Sequence, residues 1–128
     1  MSDINKLETS TAEYYIEGDI LYAVFKPDAD VDLEAAKEGI DARKKLQNGK
    51  PMLVLGDTSR VWQITSEARK YSSQKEVDAM NKAMAVVTGS SFTAVTAANF
   101  YMKINKPSTP TKLFKSRQKA LAWLESMK

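Results

Sequence analysis

Short apolar runs alternate with helix-like segments along most of this 128-residue sequence, and this alternation restricts the fold more than any other feature. Residues 51–55 (Pro-Met-Leu-Val-Leu) and 83–87 (Ala-Met-Ala-Val-Val) are apolar throughout, as is typical of strands covered on both faces. A third short run, Thr111-Lys112-Leu113-Phe114, precedes the last helix-like segment. Strands separated by helices in this way predict a largely parallel sheet with crossover connections.

The N-terminal part of the chain adds an antiparallel pair to this sheet. Residues 11–16 and 20–25 are apolar, aromatic-rich runs separated by Glu17-Gly18-Asp19, and this pattern predicts a β-hairpin. The predicted fold class is therefore α/β, with a mixed sheet of about five strands and about four helices. The length is that of one domain, so we expect residues 1–128 to form a single domain.

Helix starts are predicted from side chains that can cap a helix N-terminus. Asn48-Gly49 should end the first helix, because glycine costs least in the left-handed conformation. Ser73 and Glu76 have the spacing of a capping box, which predicts a fresh helical segment there. The predicted N-caps are Asp32, Thr65 or Ser66, Ser73, Ser91 and Ser116.

The residue types that the sequence lacks exclude several classes of function. It contains no histidine and no cysteine, so a Ser-His-Asp triad, a cysteine nucleophile and a zinc site with nitrogen and sulfur ligands cannot be built. General acid–base chemistry would fall to Asp, Glu, Lys or Tyr. We therefore expect no catalytic residues, no metal, no cofactor and no enzymatic activity.

Charge and hydropathy bear on location and partners. No apolar run approaches the roughly 20 residues that span a bilayer, the N-terminus lacks a signal-peptide pattern, and cysteines are absent, so we expect a cytoplasmic protein. The first 35 residues carry a net charge of −7, and residues 103–128 carry +6. The basic lysines are interleaved with apolar residues, which favours solvated faces over a nucleic-acid site.

The C-terminal fifth has the most specific pattern. Thr111-Lys112-Leu113-Phe114-Lys115-Ser116 is followed by Ala120-Leu121-Ala122-Trp123-Leu124, and the central Leu53-Val54-Leu55-Gly56-Asp57 leads through Val61 and Ile64 into a helix. This combination resembles the STAS family, named for sulfate transporters and anti-sigma-factor antagonists. It is most similar to the SpoIIAA-like group of uncharacterised bacterial proteins, for which the SEC14 name is also used. The resemblance implies a STAS-like fold over nearly the whole chain.

The resemblance also implies a region for partner binding. In anti-sigma-factor antagonists, a kinase phosphorylates a serine of an Asp-Ser-Ser-Gly motif at the start of the helix after the central strand. The matching stretch here, Thr65-Ser66-Glu67-Ala68, differs at three of the four positions. Ser66 would be the modified residue, or Glu67 a permanent charge where a helix N-terminus favours anions; alternatively, Thr65 or Ser66 only caps the helix. The predicted partner-binding or phospho-switch region consists of Asp57, Ser59, Trp62, Thr65, Ser66, Glu67 and Arg69.

Two further sets of residues support different functions. Side chains alternate along a strand, so some of Tyr14, Tyr15 and Tyr22 should lie on the outer face of the hairpin and contact a second subunit. The alternative is that half of them are buried under the first helix. A small apolar ligand would need a pocket, whose lining we expect to include Phe92, Val95, Phe100 and Met102; the alternative is an ordinary core.

Two hypotheses of different class follow from the sequence, and a third, an enzyme that uses carboxylates or tyrosines, ranks below both. The first is a non-enzymatic regulatory or protein-interaction domain that binds a protein partner or itself as a homodimer. The second is a carrier of a small apolar ligand or lipid, in line with the SEC14 name. A solid core at the predicted pocket would dismiss the carrier.

Overall fold

The computed structural model describes residues 6–100, 102–103 and 108–128, and within them the chain forms eight strands and five helices. The strands are β1 (Lys6–Glu8), β2 (Ala12–Glu17), β3 (Ile20–Phe25), β4 (Asp30–Val31), β5 (Met52–Asp57), β6 (Gln63–Ile64), β7 (Asn81–Val87) and β8 (Thr111–Phe114). The helices are α1 (Leu33–Gln47), α2 (Ser66–Ser72), α3 (Lys75–Asp78), α4 (Phe92–Phe100) and α5 (Arg117–Ser126).

Six of these strands form one mixed sheet in the order β1-β2-β3-β5-β7-β8. The strands β1, β2 and β3 are antiparallel, whereas β3, β5, β7 and β8 run parallel to one another. This confirms the predicted α/β class, with an opening hairpin and parallel strands beyond it. The hairpin turns at Gly18-Asp19, where Gly18 has a φ of 63° and Glu17 pairs with Ile20.

The predicted number of strands was too low. Residues 6–8 add an edge strand to the hairpin, with Lys6 opposite Tyr15, and β4 pairs with β6 in a separate two-stranded ribbon. These additional strands are only two or three residues long. Because so short a segment shows no period, its own sequence gives no signal, and pairing with another strand determines it.

The first helix begins and ends as its sequence predicts. The Asp32 carboxylate accepts a hydrogen bond of 2.9 Å from the backbone N–H of Ala35, so it caps the helix N-terminus. At the other end Asn48 and Gly49 take left-handed φ angles of 49° and 81°. The backbone N–H of Asn48 donates to the carbonyl of Lys44 and closes the last turn.

The predicted capping box at residues 73–76 is wrong, although a new helix does begin there. The Ser73 hydroxyl donates to the carbonyl of Lys70 and so belongs to the end of α2. The N-cap of α3 is Gln74, whose side chain makes no capping hydrogen bond. The Ser73 hydroxyl therefore hydrogen-bonds within α2 and does not cap α3.

The helices divide unequally between the two faces of the sheet. Successive residues of β5 point to opposite faces, so Leu53 and Leu55 pack against Ala120 and Leu124 of α5, whereas Val54 packs on the side of α1. Helices α1, α2 and α4 share a core cluster on that second side. Ser116 caps α5 as predicted, accepting a hydrogen bond from the N–H of Lys119. No helix among residues 6–100, 102–103 and 108–128 is long and apolar enough to cross a membrane.

Candidate functional site

An apolar cavity of about 160 Å³ lies between the sheet and the helices α1, α2 and α4. It exists because small residues meet where larger ones would fill the space. On the sheet side, a Cβ atom added to Gly56 would have no atom within 4 Å. The small residues that line the cavity are Ala23, Ala35, Ala36, Gly56, Ala94, Ala97 and Ala98.

The cavity wall contains a few polar groups, and the charged residues among its described members are two arginines. Arg43 of α1 is buried, and its guanidinium donates to the side-chain oxygens of Gln47 (2.9 Å) and Asn81 (2.5 Å). Arg69 of α2 donates to the backbone carbonyl of Ile64 at 2.6 Å. Burial raises the pKa of Tyr14, which also lines the cavity, to about 12, so its hydroxyl stays neutral and can donate a hydrogen bond.

The sequence predicted a pocket beside α4 but selected the wrong face of that helix. Phe92 was expected to point inward, yet its side chain is 84% exposed. Val95 and Met102 are half-buried, and neither lines the cavity; the side chain of Phe100 lies outside the described residues, as do Tyr101 and Ile104. The face that does line the cavity has helical spacing and consists of Ala94, Ala97 and Ala98.

A polar cleft lies at the carboxyl ends of β3 and β5, where open α/β sheets commonly hold ligands. Its centre is Asp57, whose carboxylate accepts hydrogen bonds from the backbone N–H and hydroxyl of Ser59 (3.1 and 2.6 Å) and from the Arg117 guanidinium (3.1 Å). Burial alone would raise the pKa of Asp57, but these hydrogen bonds outweigh it and lower that pKa below its usual range. Lys26 and Arg60 also line the cleft.

Two large apolar side chains are exposed at the same edge of the sheet. Trp62 is 60% exposed and Phe92 is 84% exposed. They follow the neighbouring strands β5 and β7, whose connecting loops approach each other: a Cβ added to Gly89 would lie 3.1 Å from the Cβ of Ser59. The edge therefore presents aromatic surface to solvent.

The predicted phospho-switch region is divided between the surface and the cavity. Thr65 is the N-cap of α2 and accepts a hydrogen bond of 3.1 Å from the N–H of Ala68. Ser66 and Glu67 are exposed on the first turn, whereas Arg69 turns toward the cavity. The role of Ser66 as a modified residue stays a prediction.

The hairpin tyrosines do not offer the outer surface that the sequence analysis expected for a subunit contact. Tyr14 packs beneath α1, and Tyr22 belongs to the core on the α5 side. Both are buried, because the two faces of the sheet are each covered by helices. Tyr15 is half-buried and stacks on Tyr22 with ring centroids 4.8 Å apart.

Sequence reasoning missed the residues that form the cavity. Arg43 lies on the buried face of α1, three residues after Ile40 and seven after Ala36, and this spacing was a readable signal for an inward-facing cation. Gly56, which follows the apolar run 52–55 of β5, was also a signal, since glycine inside a strand often marks a site where a ligand or another backbone approaches closely.

Comparisons with known proteins bear on the fold. The family model of a domain of unknown function, DUF7793, matches residues 14–128. No curated protein matches this chain. A crystal structure from Shewanella loihica PV-4, of an uncharacterised DUF3478-family protein with a SpoIIAA-like fold, is similar with a TM-score of 0.59 and 18% identity, covering 97% of this chain and 98% of that one. This likeness confirms the predicted SpoIIAA-like fold, and at this identity it shows the fold alone.

Proposed function

The chain belongs to the DUF7793 family, whose description gives no function. We propose that it is a non-enzymatic carrier of a small apolar ligand. The observation that carries the proposal is the cavity beneath α1, α2 and α4. Its volume, about 160 Å³, is similar to that of a cavity known to admit benzene, roughly 150 Å³. The ligand is therefore expected to be no larger than a small aromatic or short-chain molecule.

The apolar lining also favours a bound molecule. Most of the side chains that line the cavity are apolar, so water inside it would find few hydrogen-bond partners. A bound apolar molecule instead makes van der Waals contacts with this lining.

The proposal reverses the order of the two sequence hypotheses for a physical reason. The sequence places the carrier second and predicts its pocket at Phe92, Val95, Phe100 and Met102. The pocket lies instead against the alanine face of α4. The non-enzymatic part of the proposal rests on the absence of histidine and cysteine from the sequence, and the cytoplasmic location stays a prediction of its composition.

The test is a titration of the ¹⁵N-labelled protein with benzene, followed by amide chemical shifts. We expect saturable shifts at Ala94, Ala97 and Ala98, and their loss in Ala98→Leu, which fills the cavity. Ala122→Leu is the matched control, because Ala122 is exposed on α5 and should leave binding intact. Wild-type protein that shows no saturable shift at these amides, with benzene or with xenon under pressure, would refute the carrier.

A second function is supported by the exposed pair Trp62 and Phe92 at the carboxyl edge of the sheet. Exposed aromatic residues are enriched at protein interfaces. In this second proposal, the edge binds a protein partner or a second copy of the chain. Sedimentation velocity over a range of concentrations tests the homodimer: it requires a dimer that disappears in Trp62→Ser/Phe92→Ser, and a monomer at every concentration excludes it.

A further inference from the structure

Resting on the proposed carrier function, we infer that the natural ligand is a small, neutral, apolar molecule with one hydrogen-bond-accepting oxygen, as in a ketone or an ester. This oxygen accepts a hydrogen bond from the hydroxyl of Tyr14, which is part of the cavity wall. Most of the lining is apolar, so apolar molecules of many kinds would fit it. The polar atom that the protein leaves without a partner is what distinguishes one class of ligand from another.

The Tyr14 hydroxyl lies against the face of α1 that forms the cavity wall. A Cβ atom added to Gly39 would overlap this hydroxyl, so the tyrosine reaches the helix at that residue. Gly39 lies one turn after Ala35 and one turn before Arg43, and both of these residues line the cavity. Tyr14 as a whole is only 4% exposed, so bulk water has little access to it.

This hydroxyl makes no hydrogen bond to any residue that the structure describes. Buried polar groups are nearly always paired, because an unpaired one gives up its bonds to water on folding and gains nothing in return. Among the described residues, the side-chain atom that is both fully enclosed and unpaired is the Thr11 hydroxyl, so the Tyr14 oxygen still touches open space. A molecule bound in the cavity supplies the acceptor that the Tyr14 hydroxyl lacks.

The chemistry of the wall favours a neutral acceptor. Because burial raises the pKa of Tyr14 to about 12, the proton stays on its oxygen at neutral pH, and the hydroxyl is a donor. The guanidinium groups of Arg43 and Arg69 are already engaged with partners in the protein. A carboxylate in the cavity would therefore be buried without a counter-charge of its own, which is far more costly than burying a carbonyl group.

The experiment compares cyclohexanone with methylenecyclohexane, which has nearly the same shape and a CH₂ group in place of the carbonyl oxygen. Both are titrated into wild type and Tyr14→Phe, and the amide shifts of α4 report binding. The dissociation constant of cyclohexanone should rise roughly five-fold in Tyr14→Phe, whereas that of methylenecyclohexane should change by less than about two-fold. Tyr22→Phe is the matched control, because Tyr22 is buried on the α5 side of the sheet and should leave both constants unchanged.

Two further measurements distinguish a ligand contact from a structural role of the hydroxyl. The carbonyl stretching band of bound cyclohexanone should lie at a lower frequency in wild type than in Tyr14→Phe, since a hydrogen bond weakens the C=O bond. Urea unfolding without ligand should find Tyr14→Phe at least as stable as wild type, because the variant loses only an unpaired hydroxyl. A variant much less stable than wild type would give the hydroxyl a partner within the protein and overturn the inference.

The outcomes separate this inference from the carrier function itself. If both ligands bind at α4 but Tyr14→Phe weakens neither of them, or weakens both equally, the carbonyl contact is wrong and the carrier stands. If methylenecyclohexane binds and cyclohexanone does not, the inference is wrong as well. If neither of them shifts the α4 amides, and benzene and xenon also fail to do so, the carrier itself fails.

Discussion

At the scale of single residues, two buried glycines have opposite surroundings. Gly39 lies in the middle of α1, where an added Cβ would overlap the hydroxyl of Tyr14 and lie 3.0 Å from its Cζ atom. Gly56 lies in the middle of β5, where an added Cβ would enter open space. Substitution by alanine therefore tests close packing at Gly39 and unfilled space at Gly56.

We expect Gly39→Ala to lower the free energy of unfolding by roughly 1–3 kcal/mol, because the clash exceeds the usual gain in helix propensity. Gly56→Ala should raise it by about 0.5–1 kcal/mol, since the methyl group fills space and the unfolded chain loses freedom. Urea unfolding followed by circular dichroism measures both. Tyr14→Phe should rescue much of the loss in Gly39→Ala; equal effects of the two glycine substitutions would contradict this account of their surroundings.

Asp57 makes the stability depend on pH in one direction. The pKa of Asp57 is lower in the folded state than the value of about 3.9 expected in the unfolded chain. The contribution of Asp57 to the free energy of unfolding is therefore fully present above its pKa in the unfolded chain. This contribution is lost as the pH falls through its pKa in the folded state.

At pH 7, Asp57→Asn should cost roughly 1–2 kcal/mol, because the hydrogen bonds from Ser59 and Arg117 lose their charged acceptor. The difference between wild type and variant should close as the pH is lowered toward 2, which urea unfolding at several pH values measures. Asp41→Asn is the control, because the side chain of the exposed Asp41 makes no hydrogen bond or ion pair among the described residues. A difference that stays constant with pH would show that the charge is not responsible.

At the scale of elements, local chemistry predicted the starts of helices better than their inward faces. Asp32, Thr65, Ser91 and Ser116 all accept the hydrogen bond expected of an N-cap. Such a bond involves residues three apart, so the sequence contains both partners. The inward face of α4 depends instead on packing against distant residues. Because that helix is apolar nearly all round, its sequence did not specify the alanine face.

The cap of α2 provides a test of the region assigned to phosphorylation. Thr65→Ala should lower the free energy of unfolding by about 1 kcal/mol, because the N–H of Ala68 loses its acceptor. Ser66→Ala, one residue later and exposed, should change it by less than about 0.5 kcal/mol. Thermal unfolding of the two variants measures this contrast. A larger loss of stability in Ser66→Ala than in Thr65→Ala would show that Ser66, and not Thr65, caps α2.

At the scale of the whole molecule, the sequence predicted the order of strands and helices but not the cavity between the sheet and the helices α1, α2 and α4. Strand order and parallel pairing follow from the alternation of elements and from rules on crossover connections. A cavity, by contrast, forms where side chains from distant positions in the sequence together fill less than the available space. Ala23, Gly56 and Ala97 belong to three elements that meet only in the folded chain. Each is unremarkable alone, so the cavity could not be located beforehand, although the spacing of Arg43 on α1 did indicate its inward position.

The cavity also determines how this protein should respond to hydrostatic pressure. Unfolding eliminates internal voids, so pressure favours the unfolded chain in proportion to the void removed. The cavity of about 160 Å³ should therefore increase the volume change on unfolding, which scales with the internal void without being equal to it. High-pressure fluorescence should therefore give a smaller volume change for Ala98→Leu than for wild type, and also for wild type saturated with benzene. With its cavity occupied, the protein would tolerate compression that unfolds it when the cavity is vacant.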